Sequence, residues 1–201
     1  MSNTTADNKG KLIVISAPSG TGKSTIINRI IGDEALRLEF SVSATTRSPR
    51  EGEKNGIDYY FLTEDEFRSH IQADDFAEYQ EVYQGRFYGT LKSEIERINN
   101  MGHNVILDID VMGSINVKRM YGDHALTIFI APPSVETLRQ RLLNRGTDSI
   151  EEINRRVSKA EFEMQQAGKS DCVVVNDDLE VAVSEVRGLI ASFVNSADEN
   201  V

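Results

Sequence analysis

Ala17-Pro18-Ser19-Gly20-Thr21-Gly22-Lys23-Ser24 follows a nearly continuous apolar run at residues 11–16 and opens a stretch that reads as a helix to about residue 31, with Gly32 near its end. Such a run suits a strand buried on both faces. A glycine-rich loop between a strand and a helix is the setting in which a phosphate-loop match becomes specific. Gly20 and Gly22 permit positive φ and leave no side chain between backbone and ligand. Successive N–H groups then turn inward as an anion nest, and the positive end of the helix dipole adds to it. Lys23 supplies a mobile cation for β- and γ-phosphates, and Ser24 offers a hydroxyl to Mg2+. The strict pattern begins with glycine, where this chain has Ala17; the start of the loop does not require positive φ. The competing reading, a plain glycine-rich turn, leaves Lys23 opposing the helix dipole for no reason.

Outward from the loop, strands and helices alternate, which predicts an α/β fold with a mostly parallel sheet flanked by helices. Strands are expected at residues 39–44, 58–62, 77–83, 104–110, 125–131 and 171–176. Helices are expected at 90–101, 111–121, 134–144, 149–167 and 179–194. Thr63 with Glu66, and Ser149 with Glu152, form capping boxes. Residues 43–89 are polar, aromatic and rich in turn signals and read as a small inserted lobe. The core is then 10–42, 90–140 and 157–194, with a lid at 141–156. Residues 1–9 and 195–201 are polar and read as mobile tails.

The 201 residues carry 39% hydrophobic and 27% charged side chains and a formal net charge of -10. An acidic surface of that size repels nucleic acid and anionic membranes, so neither is an expected partner. No apolar run approaches the roughly 20 residues that span a bilayer. Residues 1–9 show no apolar signal segment, so export is not expected. Cys172 is the only cysteine. It excludes an intramolecular disulfide, suits a reducing cytoplasm, and reads as a buried thiol. His70, His103 and His124 follow no metal-ligand spacing and read as surface residues. The oligomeric state stays open, a homodimer included.

Leu107-Asp108-Ile109-Asp110 puts two carboxylates at the C-terminal end of a strand, the edge at which open parallel sheets bind ligands. The two are expected to project apart and not to act as one acid–base pair. One suits a metal-bound water or the Lys23 ammonium, and the other the acceptor; a helix cap plus a solvated acid is the alternative. In the lobe, Arg47 and Arg50 flank a proline turn with tyrosines nearby, a sensible receptor for a monophosphate.

Here the sequence resembles a family. The run from Ser41 to Arg50, with Tyr59, Tyr88-Gly89 and Asn176-Asp177-Asp178, resembles the guanylate kinases over nearly the whole chain. The resemblance implies a P-loop nucleoside monophosphate kinase fold. It also implies phosphorylation of GMP, and of dGMP, to the diphosphate by ATP with Mg2+, in purine nucleotide metabolism. Arg47, Arg50, Tyr59 and Tyr88 would hold the GMP phosphate, and Ser43, Glu78 and Thr90 would read the guanine. Glu53, Asp108 and Asp110 join the GMP side, and Thr25 and Asn176 the ATP side. Chemistry agrees on Glu78: a carboxylate accepts from both N1–H and the N2 amino group of guanine, whereas adenine offers neither at those positions. The family pattern has one residue fewer before Tyr88 than this chain's Tyr83-Gln84-Gly85-Arg86-Phe87.

On the helix after Ser134, Val135, Leu138 and Leu142 form the apolar stripe, and Arg141 and Arg145 share one flank. The next helix carries Ile150, Ile153, Val157, Ala160 and Met164, with Arg156 beside that stripe. Arg141, Arg145 and Arg156 are therefore expected to converge on the ligand with Lys23 as the catalytic cations, and Arg139 and Arg155 to face solvent. Gly146-Thr147-Asp148 would be the tip of the lid. Two rivals remain: another nucleoside monophosphate kinase, and a non-catalytic module of similar fold that binds proteins. The intact Lys23, Ser24 and lid arginines argue against the second.

Overall fold

The apolar run before the glycine-rich loop is the central strand of a parallel sheet. In the computed structural model, which describes residues 10–146 and 148–196, five strands lie in the order β2 (Leu38–Phe40), β7 (Asn104–Asp108), β1 (Leu12–Ser16), β8 (Ala125–Ala131), β9 (Cys172–Val175). All their pairings are parallel; Ile13 lies beside Ile106 on one side and Leu126 on the other. Side chains alternate along β1. Ile13 and Ile15 pack beneath α1 (Lys23–Ile30) and α7 (Leu179–Asn195) with Ile26, Ile30, Val186 and Ile190. Leu12 and Val14 pack on the other face with Ile95 and Ile98 of α3 (Lys92–Asn100) and Val117 of α4 (Val111–Tyr121). Full burial of side chains of this size is worth about 1.5–3 kcal/mol each, so β1 holds both layers together.

A second sheet runs β4 (Tyr60–Phe61), β3 (Ala44–Thr45), β6 (Arg86–Leu91), β5 (Phe76–Tyr83). Phe67 of α2 (Glu64–Gln72) stacks on Phe76 at 4.3 Å and on Phe87 at 5.2 Å between ring centres. The remaining helices, α5 (Val135–Arg145) and α6 (Ile150–Gln166), pack as a hairpin through Leu138, Leu142, Ile153, Val157 and Ala160. Among the described residues no helix is long and apolar enough to cross a membrane.

Several expectations change. The strand expected at 39–44 is two strands in different sheets. Ser41 still donates to Ile106 in the parallel sheet, but Ser43 accepts from Tyr60 in the other. Residues 86–91 form β6, so Thr90, expected in a helix, is a strand residue and α3 begins at Lys92. The Thr63 and Glu66 capping box is complete. At Ser149 only one half forms, because Glu152 turns instead to Arg155 and Arg156. Ile150 is exposed, and Met164 packs with Val111 and Phe129 rather than on α5. Cys172 is half-buried, since β9 is an edge strand. Of the expected tails, residues 1–9 and 197–201 lie outside the described residues, as does Thr147; Asn195 closes α7.

Candidate active site

Three strand ends aim the site. After Ser16 the chain turns through the glycine loop, where Gly20 has φ +94° and Gly22, the N-cap of α1, has φ +96°. At both positions an L side chain would be strained. A β-carbon on Gly20 would also lie 2.8 Å from Leu142 of α5, so the loop's bare backbone lets the helical hairpin approach. Asn176 stands behind the loop. Its amide donates to the Thr21 carbonyl at 2.6 Å, and its own carbonyl accepts from Arg141 at 2.9 Å. Asn176 therefore braces the loop and one arginine and is absent from the lining of the cavity in front.

That cavity, about 720 Å3, is lined by Ala17, Pro18, Ser19, Gly20, Gly22, Lys23, Ser24 and Thr25, and across from them by Arg141, Arg145 and Arg156. Thr21 is buried beneath the loop, its hydroxyl turned to the Pro18 carbonyl. The convergence of Arg141, Arg145 and Arg156 on the glycine loop follows the helical phase read from sequence. Arg156 already reaches the Ser19 hydroxyl at 3.3 Å. Arg139 and Arg155 face away, bonding Asn154 and Tyr83 respectively.

Asp108 ends β7 and pairs with the Lys23 ammonium. Asp110 leaves the sheet and caps α4, accepting from Gly113 N–H at 2.8 Å. The period of a strand does not separate these two carboxylates, because residues two apart share a face. They separate because the strand stops at Asp108 and the chain turns into the cap.

A second cavity of about 260 Å3 lies against the first. Ser43, Tyr59, Glu78, Tyr88 and Gly89 line it from the small sheet. Asp108, Ile109, Asp110 and Lys159 line both cavities and form the wall between them. Glu78 is 9% exposed, and one carboxylate oxygen accepts from the Thr90 hydroxyl at 2.9 Å. Burial pushes its pKa up to about 7, against the Thr90 bond, with the Asp110 charge adding to the rise. Burial likewise raises the pKa of Tyr59.

The phosphate arginines expected in the lobe are arranged differently. Arg47 forms a two-pronged pair with Glu53, 2.9 Å at each contact, and lies over the Tyr59 ring. Glu53 also accepts from the Arg50 N–H at 2.7 Å. The Arg47 hydrogen bonds hold the Glu53 carboxyl down at about 2, and Glu53 raises the Arg47 pKa in turn. Glu53 thus orients Arg47, and neither Arg47 nor Arg50 lines the two cavities. In the loop before Tyr88 the strand register shifts between Glu81 and Tyr83, a bulge in β5.

Sequence reasoning missed Lys159 and Glu163. Arg156, Lys159 and Glu163 follow one another at spacings of three and four on α6 and all line the loop cavity. Glu163 is 5% exposed, and burial raises its pKa, offset by Lys159 and Lys23 and reinforced by Asp110. The spacing was the available signal, but surface ion pairs on helices share it. His70 and His103 sit on Asp75 and Glu39, away from both cavities.

A glycine-loop cradle at the edge of a parallel sheet, opening sideways onto a pocket with its own buried acid, is the layout of a P-loop nucleoside monophosphate kinase. Comparison with known proteins narrows the class. The guanylate kinase family model matches residues 9–193. A guanylate kinase of Porphyromonas gingivalis is 56% identical over 92% of this chain and 98% of its own length, and one from Bacteroides thetaiotaomicron is 53% identical over 92% and 91%. The crystal structure of a guanylate kinase from Anaplasma phagocytophilum superposes with a TM-score of 0.72 at 31% identity, covering 94% of this chain and 89% of that one. The chain belongs to the guanylate kinase family.

Proposed function

We infer that this chain transfers the γ-phosphoryl group of ATP to the phosphate of GMP, giving ADP and GDP, with the donor in the glycine-loop cavity and the acceptor in the smaller one. The observation that carries the assignment of the two pockets is Glu78. It is a buried carboxylate on the floor of a cavity that shares its wall with the phosphate loop. In its ionised form that carboxylate only accepts, which suits the paired N–H donors of guanine and opposes the N1 lone pair of adenine. dGMP carries the same base and phosphate and is proposed as a second acceptor.

The attacking oxygen belongs to a phosphate that is already anionic, so no general base is needed, and no histidine lines either cavity. Catalysis then rests on alignment and on cations placed against the charge of the transferring group. Lys23 serves once ATP draws it from Asp108, and Arg141, Arg145 and Arg156 close from the helical hairpin. Asn176 keeps the loop and Arg141 in register. Arg47 and Arg50 deliver the acceptor phosphate with Tyr59 and Tyr88, Arg47 being held ready by Glu53. The Ser24 hydroxyl and the Asp108 carboxylate are hard oxygen donors on one cavity and fit Mg2+ together with phosphate oxygens and water. A divalent cation held by these groups would supply positive charge against the donor phosphates. A reducing cytoplasm suits the single free Cys172.

The reading is tested by coupled assay of all four nucleoside monophosphates with Mg-ATP. GMP should be turned over with a kcat/KM about 10⁴-fold or more above AMP, the scale expected when a hydrogen-bonding site meets the wrong partner. Comparable use of AMP, CMP or UMP would refute it.

A further inference from the structure

Gly113 is the third residue of α4, and it is buried. Its backbone is ordinary helix with no positive φ, so conformation does not call for glycine. Nor does the cap, since any residue but proline supplies the N–H that Asp110 receives. Space does call for it. A β-carbon at this position would lie 2.9 Å from Glu78 Oε2 and 3.2 Å from the tip of Ile109. Ordinary carbon–oxygen contacts of this kind fall at about 3.3–3.6 Å. The other carboxylate oxygen is already engaged by Thr90. Glu78 is therefore held between the Thr90 hydroxyl and the bare backbone of α4, and a single methyl group would displace it.

We propose that Gly113 is a specificity-positioning residue: its missing side chain reserves the space for the Glu78 carboxylate and so sets where Glu78 meets the guanine edge. This rests on the reading of Glu78 as the base-reading group. Recognition through hydrogen bonds tolerates displacements of only about 0.5 Å, and the shortfall at Gly113 is of that order. Alanine is a better helix former than glycine, so a role confined to helix integrity makes the opposite forecast from a role in spacing.

The experiment compares G113A, E78A and the double variant as full-length enzymes. G113A should raise KM for GMP about tenfold, the scale of one weakened charge-assisted hydrogen bond, and lower the preference for GMP over AMP. KM for ATP should stay within about twofold and the ligand-free Tm should not fall. In the E78A background the added methyl should have no further effect on GMP, because the group it displaces is gone. An unchanged KM for GMP in G113A overturns the proposal, as does a penalty that persists in the double variant. If E78A itself leaves GMP use unaltered, the base-reading assignment fails instead. Should G113A not fold, the double variant decides. Recovered folding supports the clash with Glu78, and continued failure overturns the proposal.

Discussion

Replacing Glu78 with glutamine should make the ligand-free protein more stable at neutral pH while damaging its use of GMP. The glutamine keeps the shape of the side chain and an oxygen that accepts from Thr90. It lacks the charge that burial opposes. Glu78 titrates at about 7 in the fold against an ordinary value of 4.5. Below about 4.5 it is neutral in both states and has no effect. Between 4.5 and 7 the unfolded chain has released a proton that the fold still holds, so wild-type stability falls as pH rises through this window. Above 7 the carboxylate is ionised in both states and the loss is complete. That gap corresponds to about 3 kcal/mol, or roughly 6–12 °C in Tm for a chain of this size. The charge that acts on Glu78 is that of Asp110, which opposes ionisation; Asp108 and Lys159 line the same cavity, and Asp74 and Arg119 line a neighbouring one that Glu78 also borders. Urea denaturation of the two proteins without ligands at pH 5, 6, 7 and 8 reads the effect. E78Q should lead by about 1 kcal/mol at pH 5 and by about 3 kcal/mol at pH 8. A difference independent of pH, or a wild type more stable at pH 8, would refute the reasoning.

Two further outcomes follow from the same geometry. If guanine's N–H donors require the ionised carboxylate, GMP binding at pH 6 should release about 0.9 proton more from wild type than from E78Q; calorimetry in buffers of different ionisation enthalpy measures this, and equal release in both would contradict it. R145A should lower kcat about 100-fold or more with a small change in either KM, whereas R139A, whose side chain turns away to Asn154, should stay within about twofold of wild type; steady-state kinetics of the pair test the inward and outward faces of α5, and an unchanged kcat in R145A removes it from the transferring group.

Much of the scaffold was legible because local rules and the tertiary fold agree. The loop between β1 and α1 required glycine at two positions and has positive φ at both. The apolar stripe of α5 and α6 assigned Arg141, Arg145 and Arg156 inward. What was not legible depended on partners distant in sequence. The break between β2 and β3 is a change of hydrogen-bond partner, invisible to side-chain periodicity. Strand β6 was hidden because Tyr88-Gly89-Thr90 runs straight into a helical pattern, and its strand character comes from pairing with β5 and β3. The tie of Glu53 to Arg47 could not be told from a solvated acid. Lys159 and Glu163 look like an ordinary helix-face ion pair until the loop cavity is seen in front of them. Gly113 matters through a residue 35 positions earlier in the chain, and no local signal marks it.

One of the two irregularities in β5 bears on how the acceptor is held. A bulge between Phe76 and Glu78 leaves Ala77 unpaired in the small sheet, so three consecutive residues of β5 are buried. Phe76 enters the aromatic core of the lobe with Phe67 and Phe87. Ala77 instead joins Leu12, Val14 and Val105 in the core of the parallel sheet. Glu78 follows at once and sits against α4. The carboxylate proposed to read the base is thus anchored to the main body, although its strand belongs to the small sheet. Arg47, Arg50 and Tyr59, proposed to meet the acceptor phosphate, lie on the loop between β3 and β4 of the small sheet, and Tyr88 lies on β6. The group proposed to meet the base is therefore fixed by packing in the main core, whereas the groups proposed to meet the phosphate are carried by the strands and loop of the small sheet.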